Sequence, residues 1–151
     1  ANSSPQDFLS VAYNETIGGV EYLVIQGGGS GSTTANLPIE LPVPSFNATS
    51  QTLKIEVECY RSSTYGGSNS YLFVAANFRK DDESDNEMTS YASTTVSGIS
   101  TSASDPTTFS SNLNLSASGL REINSVLATI QAPVGNLSHK IYFKRIEVVV
   151  V

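Results

Sequence analysis

The chain has no tryptophan, a single cysteine (Cys59) and a single histidine (His139) among its 151 residues. A lone thiol cannot close an internal disulfide, which excludes the disulfide-stapled scaffolds of many small secreted domains. Stability has to come from packing or from partners. One imidazole also limits nucleophilic catalysis, which needs a Ser or Cys beside a base that a third group orients. No G-x-S-x-G elbow is present, and His139 sits in the polar stretch 136–140, which reads as a hairpin turn entering the last strand. The expectation is a non-enzymatic protein with no catalytic residue, no cofactor and no metal.

Charge is scarce too. Only 15% of residues are charged, 14 acids against 8 bases for a net −6, where average chains carry about 25%. The bases are scattered, so binding that depends on phosphate neutralisation is excluded and no nucleic-acid partner is expected. The longest apolar run, Val148 to Val151, is far short of the roughly 20 residues of a spanning helix. Residues 1–15 lack a basic region followed by an apolar stretch. The expectation is a soluble chain with no membrane partner.

What the chain has in quantity is Ser and Thr, roughly a quarter of the residues. A polar but uncharged composition fits neither disorder nor a charged helical surface, and points to β structure. The clearest pattern is TLKIEVECY over 52–60, where Leu53, Ile55, Val57 and Cys59 alternate with Lys54, Glu56, Glu58 and Tyr60, a half-buried strand with Cys59 in the core. A turn-forming stretch with Gly66 and Gly67 leads to SYLFVAANFRK over 70–80, so the pair reads as a long antiparallel hairpin. The second run is apolar on both faces, which suggests cover by a neighbouring subunit. Tyr91, Val96, Ile99 and Phe109 are spaced as anchors of short strands, 107–115 reads as a strand, and 120–124 as one helical turn. The runs 126–132 and 141–151 complete the set. Between Phe143 and Ile146 the apolar parity changes, as a β-bulge would cause.

The N-terminal part reads differently. Two short β-prone runs, 8–13 and 20–26, precede GGGSGSTTAN over 27–36, which has a linker composition. LPIELPVPSF over 37–46 carries Pro38, Pro42 and Pro44 and belongs at a sheet edge. This divides the chain into an N-terminal arm with its linker over 1–36 and a β-sandwich domain over 37–151. Fully extended, such an arm reaches about 100 Å. The other reading is that both short runs add strands to the same sandwich.

Three further features bear on binding. The acidic run 81–87 clusters hard oxygen ligands, but a calcium loop starting at Asp81 needs Gly at 86 and Glu at 92, where Asn86 and Ala92 stand. A solvated loop guarding an adjacent strand is the plainer reading. Tyr60, on the outward parity, and Tyr65, in the hairpin loop, are the candidates for a glycan platform. Five N-x-[ST] sequons, at Asn2, Asn14, Asn47, Asn114 and Asn136, decide nothing.

The order of segments, LKIEVECY, a Ser/Gly hairpin, YLFVAANFRKDDE, an F-x-x-x-L-x-L strand, then ATIQAP and KIYFKRIEVVVV, resembles the β-sandwich domains of tailed-bacteriophage virion surface proteins: capsid decoration (cement) proteins, head fibres and fibre knobs. The similarity spans roughly 37–151. One departure is that such domains often carry Trp in the first two strands, where Tyr60 and Phe73 stand here. The resemblance implies an all-β, antiparallel, jelly-roll-like sandwich with an extended N-terminal arm. It implies a structural protein on the virion surface, assembled in the host cytoplasm, which stabilises the capsid as a homotrimer. The partners implied are the chain itself and the major capsid protein or another virion protein. Phe8, Leu9, Val11, Tyr13, Tyr22, Leu23 and Ile25 in the arm would then contact the capsid, and Tyr71 and Phe73 would pack subunits. The alternative is a carbohydrate-binding module or fibre-tip receptor-binding domain using Tyr60 and Tyr65.

Overall fold

The structure is a computed structural model that describes residues 11–27, 34–44, 51–63, 71–79, 86–113, 125–133 and 138–151. Among these residues the strands are β1 (Val11–Ile17), β2 (Val20–Gln26), β3 (Thr34–Pro42), β4 (Leu53–Arg61), β5 (Tyr71–Arg79), β6 (Asn86–Thr95), β7 (Thr107–Asn112), β8 (Ser125–Pro133) and β9 (Lys140–Val150), with a 3-10 turn at Val96–Gly98. They form two antiparallel sheets, ordered β1-β2-β9-β4-β7 and β3-β8-β5-β6. This is an antiparallel, jelly-roll-like β-sandwich, of the β class that the alternation predicts.

The core lies between the sheets. From one side come Ile25, Leu53, Ile55, Val57, Cys59, Ile141, Phe143 and Val148, and from the other Leu41, Leu72, Val74, Ala76, Val126, Ala128, Ile130 and Ala132. Val96 and Ile99 fill the end near the 3-10 turn, and Leu113 the opposite end, where its N–H donates to the Leu53 carbonyl. The expected bulge is present. Arg145 lies opposite Glu58 while Phe143 lies opposite Cys59, which leaves Lys144 as the extra residue. That one residue lets Ile141 and Phe143 before it, and Val148 after it, all reach the core.

Two expectations are corrected. β4 and β5 do not form a hairpin: β4 pairs with β7 and β9, and β5 with β6 and β8. Both strands have fully buried apolar rows, and such rows are satisfied by facing each other across a sandwich. The region taken as an arm is, over its described residues, part of the sheets. β1 and β2 form a hairpin in full register from Val11↔Gln26 to Ile17↔Val20. β2 pairs with β9 through Leu23↔Phe143 and Ile25↔Ile141. β3 runs across the expected boundary at 36/37. Apolar alternation in β2 is worth more buried against β9 than left on a tether. β3 is an edge strand, as its prolines require.

Candidate functional site

The five-stranded sheet turns one face to the core and the other outward, and the outward face carries a second apolar cluster. Register alone builds it. Tyr60 on β4 lies opposite Tyr142 on β9, Tyr142 opposite Val24 on β2, and Val24 opposite Tyr13 on β1. Tyr22 stands one step along β2 from this row. The Tyr60 and Tyr142 rings stack with centroids 4.5 Å apart and planes 5° apart. Tyr22 meets both edge-on, at 5.5 Å and 6.2 Å. Val24 is fully buried beneath them, Tyr22 and Tyr60 are buried, and Tyr13, Val20 and Tyr142 are half-buried at the rim. Parallel and edge-to-face contacts of this kind add about 0.5–1.5 kcal/mol per pair beyond area burial.

Polar groups border the rings. The Tyr13 hydroxyl donates to Gln26 Oε1 at 3.0 Å. The Lys140 ammonium faces the Tyr142 and Tyr13 hydroxyls, which hold its charge against burial, with Glu15 adding to the effect. Burial pushes the Tyr60 hydroxyl up to about 12, and neighbouring Tyr142, Tyr22 and Glu15 push the same way. Burial raises Tyr142 as well, against the attraction of Lys140. Ser62 clamps the end of the site: its hydroxyl donates to the Ser138 carbonyl at 2.8 Å and accepts from the Lys140 N–H at 3.0 Å. This holds the end of β4 against the start of β9, so Tyr60 and Tyr142 stay in register.

Along the same face the tyrosines give way to ions. Glu56 lies directly opposite Glu147, an arrangement that is repulsive by itself. Arg145 resolves it, reaching Glu56 at 2.6 Å, Glu58 at 3.3 Å and also Glu147. Lys54 adds a contact to Glu56 at 3.2 Å and Lys144 one to Glu58 at 3.9 Å. Hydrogen bonds from Arg145 and then Lys54 hold the Glu56 carboxyl below its usual range. Burial works against the Arg145 charge, but its hydrogen bonds to the three glutamates outweigh that and keep it firmly protonated. On the core side of the β1–β2 hairpin, a cleft of about 360 Å³ opens between Leu23, Ile39, Leu41, Phe143 and Ile146, with Asn14, Glu21, Lys144 and Arg145 among its polar lining.

The residues singled out from the sequence divide as follows. Tyr60 is in the cluster, but buried beneath its neighbours. Of the residues assigned to capsid contact, Ile25 is in the main core and Tyr22 is in the tyrosine cluster. Leu23 packs against the core. Tyr22 and Ile25 are therefore covered by their own chain, while Tyr13 stands at the rim of the tyrosine cluster and half-buried Leu23 lines the cleft. Tyr71 is 52% exposed on the outer face of the four-stranded sheet, 5.8 Å from the Phe73 ring. Cys59 is buried, its thiol pushed up to about 12 by burial and by Glu58. Phe8, Leu9, Tyr65, the 81–85 part of the acidic run, the 120–124 turn and the Val11 side chain lie outside the described residues. Tyr142 is the ring of this cluster that sequence reasoning did not select, while Tyr13 and Tyr22 were assigned to capsid contact and not to a shared aromatic site. Pairing the two halves of β9 around the bulge would have placed Tyr142 on the outward parity with Tyr60.

No protein-family model matches the sequence, and no curated protein sequence does. The fold is similar to those of solved carbohydrate-binding modules. A module of the β-sandwich superfamily, described for promiscuous specificity, superposes with a TM-score of 0.58 at 13% identity over 95% of this chain. The chain spans 54% of that structure's length. A non-crystalline-cellulose-specific module, CBM28, gives 0.56 at 7% identity over 91% of this chain and 79% of its own. The xylan-binding module CBM15 gives 0.52 at 11% identity, over 93% and 95%. The likeness is one of fold.

Proposed function

We propose that this domain is a non-enzymatic carbohydrate-binding module and that its ligand lies across the outer face of the five-stranded sheet. The observation that carries the reading is the aromatic row Tyr60, Tyr142, Val24 and Tyr13, bordered by Gln26, Lys140 and Glu15. A pyranose ring presents C–H groups on its faces and hydroxyls around its edge. Half-buried Tyr142 and Tyr13 offer aromatic surface to the former, and the amide, ammonium and carboxylate offer partners to the latter. The buried tyrosines beneath fix the exposed ones, so little side-chain entropy is lost on binding. A net charge of −6 favours neutral glycans over polyanionic ones. The solved modules of similar fold, which bind xylan and non-crystalline cellulose, support the choice of ligand class.

Affinity electrophoresis on a panel of neutral soluble polysaccharides tests it. At least one should retard the protein, and Tyr142→Ala should weaken that binding by about 10-fold, or about 1.4 kcal/mol. Tyr71→Ala on the opposite sheet should leave it unchanged. Retardation by none of the panel, or retardation indifferent to Tyr142→Ala, would sink the proposal. A second reading, attachment to a virion protein, is favoured by Tyr71 and Phe73 on the outer face of the other sheet. It predicts stoichiometric binding to capsids that Tyr71→Ala abolishes.

A further inference from the structure

Among the described residues β1 is the outermost strand of the five-stranded sheet, so one side of it has no strand neighbour there. It overhangs the sandwich: Ala12, Asn14 and Thr16, on the core-side parity, are all exposed. The other edges differ. β3 carries Pro38 and Pro42, which lack the N–H that strand pairing needs, and β6 and β7 stand against each other where the two sheets meet. β1 contains no proline and no lysine, the residues that commonly blunt an edge.

The hairpin fixes which backbone groups are available. Gly18 and Gly19, both at positive φ (58° and 83°), make a two-residue turn, so Ile17 and Val20 form the hydrogen-bonded pair that closes it. Counting back along the register, residues 15, 13 and 11 bond to β2. The N–H and C=O of Ala12, Asn14 and Thr16 then point away from it, off the sheet edge. An antiparallel copy centred on Asn14 places Asn14 opposite Asn14 and Ala12 opposite Thr16. Every outward group of one strand meets an outward group of the other, for about six backbone hydrogen bonds. On the outer face the same register sets Tyr13 opposite the partner copy's residue 15, a glutamate beside a hydroxyl that Lys140 already faces.

We propose that two copies of this chain associate by antiparallel pairing of β1 with β1 about Asn14, which joins their five-stranded sheets into one ten-stranded sheet. The two-fold axis is perpendicular to the sheet, so both tyrosine clusters lie on the same side. Each Tyr142 is the third strand from the junction, which puts the two stacks about 24 Å apart across the strands at about 4.8 Å per strand. One extended ligand can then engage both. The dimer itself stands independently of the carbohydrate reading, while its consequence for avidity rests on that reading. Sedimentation tests the first and affinity the second.

A single strand pairing buries less than a standard interface of about 1,600 Å², so dissociation belongs in the micromolar range. Sedimentation equilibrium on the full chain should show reversible association to twice the 16.0 kDa chain mass by about 100 µM. Asn14→Pro removes an outward N–H without touching the β1–β2 bonds, and should weaken the dimer at least about 100-fold. Thr16→Lys, placing a charge at the junction, should do the same, and each variant should keep the wild-type far-ultraviolet dichroism. The proposal is overturned by a monomer at the highest concentration, by a trimer, by a dimer that survives both folded variants, or by a dimer lost instead on Tyr71→Ser. If the dimer holds and the protein binds a polysaccharide, the monomeric variants should bind it about 100-fold more weakly. A dimer without polysaccharide binding would leave the association in place and overturn only the glycan reading.

Discussion

Tyr60 shows how one residue takes its role from its surroundings. Its alternation with Cys59 marks it as outward-facing, yet the outward face has its own buried layer in which Tyr60 stacks on Tyr142 and meets the edge of Tyr22. An ionised phenolate there would lose hydration, which is why its hydroxyl is held up to about 12. The native state thus keeps a proton that the unfolded chain releases near pH 10. The stability this contributes is complete below about pH 10 and is lost as pH rises toward 12. A spectrophotometric titration at alkaline pH should therefore show a tyrosine step near pH 12, beyond the ordinary phenol range. Tyr60→Phe should remove that late step and flatten the loss of stability over the same window.

At the scale of the element, the bulge in β9 is the feature on which the site depends most. Before it, Ile141 and Phe143 point to the core and Lys140 and Tyr142 outward. After it, Val148 points inward and Arg145 and Glu147 lie on the ionic face. Deleting Lys144 joins these halves without the extra residue and turns one of them over, putting either Tyr142 or the Arg145 side chain into the core. The deletion should abolish cooperative unfolding and soluble expression, whereas Lys144→Ala, which keeps the residue count, should lower the melting temperature by no more than about 3 °C. The hairpin turn is the opposite case, a local signal left unused. Ile17-Gly18-Gly19-Val20 is a Gly-Gly pair between two β-prone runs, a two-residue hairpin sequence, and the linker composition a few residues later drew the reading toward an arm.

For the whole molecule, the decisive fact is that chain order and spatial order differ. The last strand lies between β2 and β4, and β3 pairs with β8, so the N-terminal residues cover what the C-terminal ones leave open. Removing residues 1–36 would strip β1, β2 and the start of β3, uncovering Ile141 and Phe143 along β9 and part of β8. The truncated chain should be aggregated or molten, with exposed apolar surface detected by dye binding. A dispensable arm would instead leave a folded remainder with its dichroism and cooperative melting intact. The same interleaving makes most of the pairing long-range, which predicts a slow folder of the all-β kind.

The sequence by itself determined the fold class, the inward rows of β4, β8 and β9, the edge position of β3, the burial of Cys59 and the bulge before Ile146. Each of these is local: a period of two, a proline or a parity change acts over a few residues and needs no knowledge of what lies alongside. Which strands lie alongside each other was decided only by tertiary structure. The alternation in 52–60 and 70–80 is the same whether the two strands pair as a hairpin or face each other across a core, and the two arrangements differ in contacts some 80 residues apart in the chain, such as Tyr60 with Tyr142. Apart from the β1–β2 hairpin, which places Tyr13 beside Val24, the tyrosine site is made of contacts between strands far apart in the chain, β2, β4 and β9. Its residues were visible one at a time, but not as neighbours, because register between strands far apart in the chain is set by the packing of the whole sandwich and written in no single segment.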